Sequence, residues 1–165
     1  MSRRPRHIGA ISENPWRIPI HSLQTIMSTS NDKVIYTGTT RVTGGRNGSA
    51  TSSDGRLAVA LSKFGSHGAG TNPEQLLGAG WSACFLSAMG KAALVADVAL
   101  PADAAVEAHI DLVQAGDAFH LAARLNVSLP GVDPALARTL AGRAHEICPY
   151  SKATRGNVDV QIHIL

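Results

Sequence analysis

The side chains best suited to covalent chemistry are the chain's two cysteines, Cys84 and Cys148, set 64 positions apart. Cys84 stands in the middle of a strongly apolar stretch, and Cys148 is followed at once by Pro149. Residue type and spacing leave several readings open. Both could be small buried side chains, since free cysteine is among the most buried residue types. A permanent disulfide closing so long a loop would stabilise the fold by about 4 kcal/mol in the chain-entropy treatment. No secretory signal precedes it, however, and a reducing cytosol disfavours a permanent bridge. His145 and Cys148 lie three apart and could face one ion, but the other histidines are scattered and no four-ligand set is visible. If either sulfur is a nucleophile it must act as thiolate. An apolar surrounding opposes that ionisation, so a cation has to be brought close.

The elements that would position these sulfurs can be read from period and punctuation. Lys33 to Val42 is rich in Val, Ile, Tyr and Thr and reads as a strand. Gly44-Gly45-Arg46-Asn47-Gly48 is a turn, Ser49 to Ser53 a polar second strand, and Asp54-Gly55 a hairpin signal before a third strand at Leu57 to Leu61. Together they predict an antiparallel meander. Asn72 can cap a helix, Pro73 suits its first position and Glu74 favours its positive end. That helix runs to about Ala96 and is apolar on nearly all sides, which predicts a buried helix. Gly78, Gly80 and Gly90 weaken it, by about 1 kcal/mol each relative to Ala, and allow close packing or a kink.

Two runs of period 2 follow, Val106–Leu112 and Phe119–Val127, joined by a hairpin loop at Ala115-Gly116-Asp117. Asp133 caps a second helix from Pro134 to about Cys148, and Asn157 to Leu165 is a last strand. Strands, helix, hairpin, helix and strand in that order make an α+β fold with segregated layers.

Composition bounds the rest. The 165 residues are 44% hydrophobic and 16% charged, which fits one globular domain and excludes a disordered chain. Aromatic residues are only 4%. A core so poor in large side chains suits a protomer that completes its burial against a partner. The net charge of +3 resides in residues 1–26, where Arg3, Arg4, Arg6 and Arg17 face Glu13 alone. The remainder is balanced, so no nucleic-acid partner is expected. No apolar run is long enough for a membrane span. Residues 1–30 read as a flexible basic leader outside the fold, with Met27 as a candidate natural start, and residues 31–165 as a single domain.

Several motifs stand in order along that domain. They are Thr43-Gly44-Gly45-Arg46-Asn47-Gly48 with Ser52-Ser53-Asp54-Gly55, then Thr71-Asn72-Pro73-Glu74-Gln75-Leu76-Leu77, Ser82-Ala83-Cys84-Phe85-Leu86, and Ala144 to Asn157 through Cys148-Pro149-Tyr150-Ser151. The sequence from about Val34 onward resembles the organic hydroperoxide resistance (Ohr) branch of the OsmC/Ohr family, with Trp81 standing where Tyr is expected. The resemblance implies an OsmC/Ohr-like fold, antiparallel sheets packed on a long central helix in an intertwined homodimer. It implies a thiol peroxidase; a cytoplasmic setting is expected from the missing secretory signal, and neither a cofactor nor a metal is expected. Its substrate would be an organic hydroperoxide and its reductant a dithiol, notably a lipoyl-bearing protein. Carried over by motif, Cys84 is the peroxidatic cysteine, Cys148 the resolving one, and Arg46 and Glu74 the polar partners of the reactive thiol. Leu76, Leu77, Trp81, Phe85 and Met89 would supply an apolar substrate pocket. The OsmC branch of the same family, and a dimeric carrier of apolar ligands with two buried thiols, are the rival readings. One geometric constraint is already set. Ten residues of straight helix place Glu74 about 15 Å along the axis from Cys84 and on nearly the opposite face. Either the helix breaks at Gly78 or Gly80, or Arg46 and Glu74 serve a Cys84 on the partner subunit.

Overall fold

The computed structural model describes Asp32 to Leu165, and the basic leader lies outside the described residues. Those residues divide between two units at Thr37/Gly38. In the first, residues 32–37 form no helix or strand, and Val34, Ile35 and Tyr36 are 80%, 91% and 79% exposed.

The second unit begins with a meander of β1 (Thr40–Thr43), β2 (Ser49–Ser52) and β3 (Ala58–Ala60), antiparallel and in that order. The strand expected over Lys33–Val42 is thus much shorter and starts at Thr40. Its partner explains why. Thr40 pairs with Ser52, the last residue of β2, and there the chain turns at Asp54-Gly55. Asp54 accepts from the Arg56 amide and the Ser52 hydroxyl, with Gly55 at φ 73°. Before Thr40, among the described residues, only one further ladder bond is made, from the Ser53 amide to the Thr39 carbonyl at 3.0 Å, and the ladder ends there. All four residues of β1 are exposed.

α1 (Pro73–Val95) is one continuous helix, so the break considered at Gly78 or Gly80 does not occur. Its start follows the expected chemistry, with Asn72 accepting from the Gln75 amide at 2.9 Å and Pro73 at the first position. One side, with Trp81, Phe85, Ala88, Met89 and Ala92, is buried. The other side, with Ala79, Ala83, Ser87, Gly90 and Leu94, is exposed. The helix is apolar on both sides, but the described residues cover only one of them.

The cover is a second sheet and a second helix. β4 (Ala105–Ala115) and β5 (Ala118–Ser128) pair antiparallel over their whole length through a two-residue turn with Gly116 at φ 60°. α2 (Pro134–Ile147) is capped by Asp133, whose carboxylate accepts from the Ala135 and Leu136 amides. A short helix, α3 (Pro149–Thr154), follows, and then β6 (Asp159–Ile164). β6 departs from the expected antiparallel sheets by pairing with β5 in parallel. A parallel neighbour needs a crossover, and α2 and α3 supply it. Trp81, Phe85 and Met89 meet Leu125, Val127, Leu140 and Ala144 in one dry core.

Candidate active site

Cys84 sits in the fourth turn of α1, and Cys148 in the joint between α2 and α3. The joint has a local cause. A residue before proline is pushed out of the helical region, and Cys148 accordingly has ψ 124°. That ends α2, while Pro149 opens α3 at a position where its missing N–H costs nothing. The kink turns the Cys148 side chain onto α1. The two sulfurs lie 3.4 Å apart and share a hydrogen bond, with Cys148 fully buried and Cys84 partly exposed. Both are free thiols.

Burial pushes the Cys84 thiol up from its ordinary pKa, and the neighbouring Cys148 adds to that. A hydrogen bond from the Tyr150 amide and the charge of Lys91 pull the other way, and do not overcome it. Within one chain, then, the balance favours the thiol over the reactive thiolate.

Arg46 and Glu74 also meet. Arg46 lies in a single 3-10 turn, Gly45–Asn47, entered through Gly44 at φ 70°. The turn closes so tightly that a Cβ on Gly48 would fall 1.7 Å from the Thr43 carbonyl oxygen, which only glycine avoids. From this turn the guanidinium makes two parallel bonds to Glu74, Nη1 to Oε2 at 2.8 Å and Nη2 to Oε1 at 2.6 Å. The pair holds the Glu74 carboxyl below its ordinary pKa, and burial opposes this more weakly. The same bonds raise Arg46 further above its already high value. This is the two-point geometry that suits arginine for carboxylates, and it leaves the guanidinium 38% exposed.

The four polar site residues therefore form two pairs, Cys84 with Cys148 and Arg46 with Glu74. The unbroken helix separates them by about 15 Å along its axis. Of the five expected pocket residues, Trp81, Phe85 and Met89 are wholly buried in the core, while Leu76 and Leu77 keep some surface. An open cavity of about 430 Å³ lies beside Glu74, with Phe64, Asn72, Gln75, Ile110 and Leu112 in its wall. Phe64 was hidden from sequence reasoning in a glycine-rich loop. Ile110 and Leu112 were visible only as the buried side of a strand. Ser151, three residues after Cys148, is fully buried and accepts a hydrogen bond from the Trp81 indole at 3.2 Å.

A meander, a long helix and a three-stranded sheet with a crossover, carrying a close thiol pair and an Arg–Glu pair, define a member of a small α+β thiol-protein class. The family described as OsmC-like protein matches residues 65–163, and the chain belongs to the OsmC/Ohr family. Within it the chain falls in the organic hydroperoxide resistance branch. It is 42% identical to the organic hydroperoxide resistance protein of Xanthomonas axonopodis pv. citri, over 81% of this chain and 96% of that protein. The crystal structure of OhrB of Bacillus subtilis superposes with a TM-score of 0.76 at 36% identity, covering 80% of this chain and all (100%) of that one. An organic hydroperoxide resistance protein of Legionella pneumophila gives 0.74 at 38% identity, covering 80% and 98%. No helix among the described residues is long and apolar enough to cross a membrane.

Proposed function

We propose that this protein detoxifies organic hydroperoxides as a cysteine-based peroxidase, with Cys84 as the attacking sulfur and Cys148 as the resolving one. The observation that carries this reading is the 3.4 Å approach of a partly exposed sulfur to a fully buried one. The Cys84 thiolate attacks one oxygen of the hydroperoxide. The O–O bond breaks, an S–O bond forms, and the leaving alkoxide takes a proton and departs as the alcohol. Cys84 is now a sulfenic acid. The Cys148 sulfur displaces its hydroxyl, which leaves as water, and a Cys84–Cys148 disulfide forms. A dithiol returns both thiols by two exchange steps and is itself oxidised to a disulfide. A lipoyl-bearing protein supplies such a dithiol. The transient character of the disulfide suits a cytoplasmic setting.

The same reading makes the protein a homodimer. Cys84 needs a stronger cation than Lys91, whose charge does not overcome the effect of burial, and Arg46 is held ready, oriented by Glu74, about 15 Å along α1 from its own Cys84. The open side of α1 leaves apolar surface for a second copy to cover, and β1 is exposed beside its one apolar residue, Val42. The partner subunit's Arg46 and Glu74 would then complete each thiol site, with the cavity beside Glu74 receiving the organic part of the substrate. The apolar part of the cavity wall, Phe64, Ala108, Ile110 and Leu112, favours an alkyl or lipid hydroperoxide over hydrogen peroxide.

The decisive experiment compares turnover of an alkyl hydroperoxide with that of hydrogen peroxide, each with a dithiol and then with a monothiol. The expected result is a higher kcat/KM for the alkyl peroxide, supported by the dithiol. No turnover of either peroxide, or no preference for the alkyl one, rejects the reading.

A further inference from the structure

Two contacts bind α1 to the α2–α3 joint, and they share a register. Cys84 faces Cys148, and Trp81, three residues earlier, faces Ser151, three residues later. Next to Trp81 the Tyr150 phenol lies over Gly80, where an added Cβ would come within 2.8 Å of its oxygen. Trp81 and Ser151 are both fully buried. Their bond is therefore sealed from water, and neither group has a solvent substitute for the other. A buried hydrogen bond also fixes distance and direction, whereas an apolar contact tolerates sliding.

We propose that Trp81 and Ser151 are positioning residues for disulfide closure, a permanent rung beside the rung that opens and closes. This rests on the assignment of Cys84 and Cys148 as a redox pair. On closure the sulfurs must move from 3.4 Å to about 2.05 Å. Cys148 supplies the electron pair, the S–S bond forms, the S–O bond of the Cys84 sulfenic acid breaks, and water carries off the oxygen. With Ser151 pinned to Trp81, the joint pivots over a short arc and Cys148 meets Cys84 at once. Without the pin, the Cys148 sulfur samples a wider space and the sulfenic acid waits. Misplacement on the ångström scale is enough to slow a reaction by about a hundredfold.

The test separates positioning from mere stability. In Ser151→Ala, the sulfenic acid formed by one equivalent of alkyl hydroperoxide is trapped with dimedone. The trapped fraction should rise and the condensation rate fall at least about tenfold, while initial thiol oxidation slows much less. Ser151→Thr, which keeps the hydroxyl, should restore closure. Should Ser151→Ala fail to fold, Trp81→Phe/Ser151→Ala removes both polar atoms and leaves no unpaired group. A second readout needs no peroxide. The equilibrium of the Cys84/Cys148 pair in glutathione redox buffers should shift toward the dithiol by a similar factor. That shift would stand even if wild-type protein turned over no hydroperoxide, which would defeat only the peroxidase reading. Folded variants with wild-type trapping and wild-type glutathione equilibrium would overturn the proposal.

Discussion

Cys84 is pulled in opposite directions, and the outcome decides its reactivity. Burial and Cys148 favour the thiol, and the Tyr150 amide and Lys91 favour the thiolate without prevailing. A guanidinium placed against the sulfur would reverse that balance. Arg46→Ala should therefore raise the pKa at which the Cys84 thiolate forms, read by its ultraviolet absorbance against pH, with a loss of peroxidase activity near neutrality. An unchanged titration would remove Arg46 from the site. Cys84→Ser should abolish peroxide reduction. Cys148→Ser should permit one oxidation and then stall, and full multiple turnover in that variant would deny it the resolving role. Glu74 adds an acid-side dependence. Its folded pKa is depressed, so the unfolded chain binds the proton more tightly. The stabilisation is present above the unfolded value of about 4.3 and is lost as pH falls toward the folded one. Denaturation midpoints of wild type should drop through that window, and those of Glu74→Gln should drop less.

At the scale of elements, the helix starts and tight turns were written in the sequence. Asn72-Pro73-Glu74 and Asp133-Pro134 open α1 and α2 because a short polar side chain, a fixed φ and a negative charge each meet a need of the first turn. Asn72→Ala should cost about 1 kcal/mol, read as a lower denaturant midpoint at unchanged slope. The parallel direction of β6 was not legible, since a period of two says which side is buried and nothing of the neighbour's direction. Nor was α3, because six residues hold too few turns to show a helical period. Pro149 nonetheless carried the signal for the break at Cys148. Strand propensity overreached at Lys33–Thr39 because it is blind to the length of the partner, and β2 ends at Ser52. For the site, the ordered motifs named the four polar residues, yet the sulfurs' mutual approach across 64 positions is a product of tertiary packing. Ser151 stood out only as a motif residue packing around Cys148, and its bond to an indole 70 positions away was not legible. Pro149→Ala tests the reading of the joint. It should let α2 run on past Ile147 and slow disulfide closure, and an unaltered closure rate would show that packing alone sets the kink.

For the whole molecule, the proposed dimer raises the question of which chain serves which site. The continuous α1 removes the one route by which a chain could bend its own Glu74 toward its own Cys84. Arg46 follows Glu74, since two bonds of 2.6 and 2.8 Å tie it there. The apolar surface left open is arranged to match, with the exposed side of α1 running past Ala83 beside Cys84 and on to Leu94, 80% exposed. A second copy seated on that side could lay its own Arg–Glu pair over the sulfur. Mixed dimers give the direct measurement. One chain carries Cys84→Ser, the other Arg46→Ala and Glu74→Ala, and the heterodimer is purified through two different tags. Each homodimer should be inactive. In the heterodimer the surviving Cys84 belongs to the chain without Arg46 and Glu74, while the other chain keeps both. Sites built across the interface should leave one of the two working, and activity should approach half that of wild type. Sites built within a chain leave neither complete. Background activity in a verified heterodimer would reject the shared site, and would require a rearrangement of α1 that brings Glu74 back along its own helix.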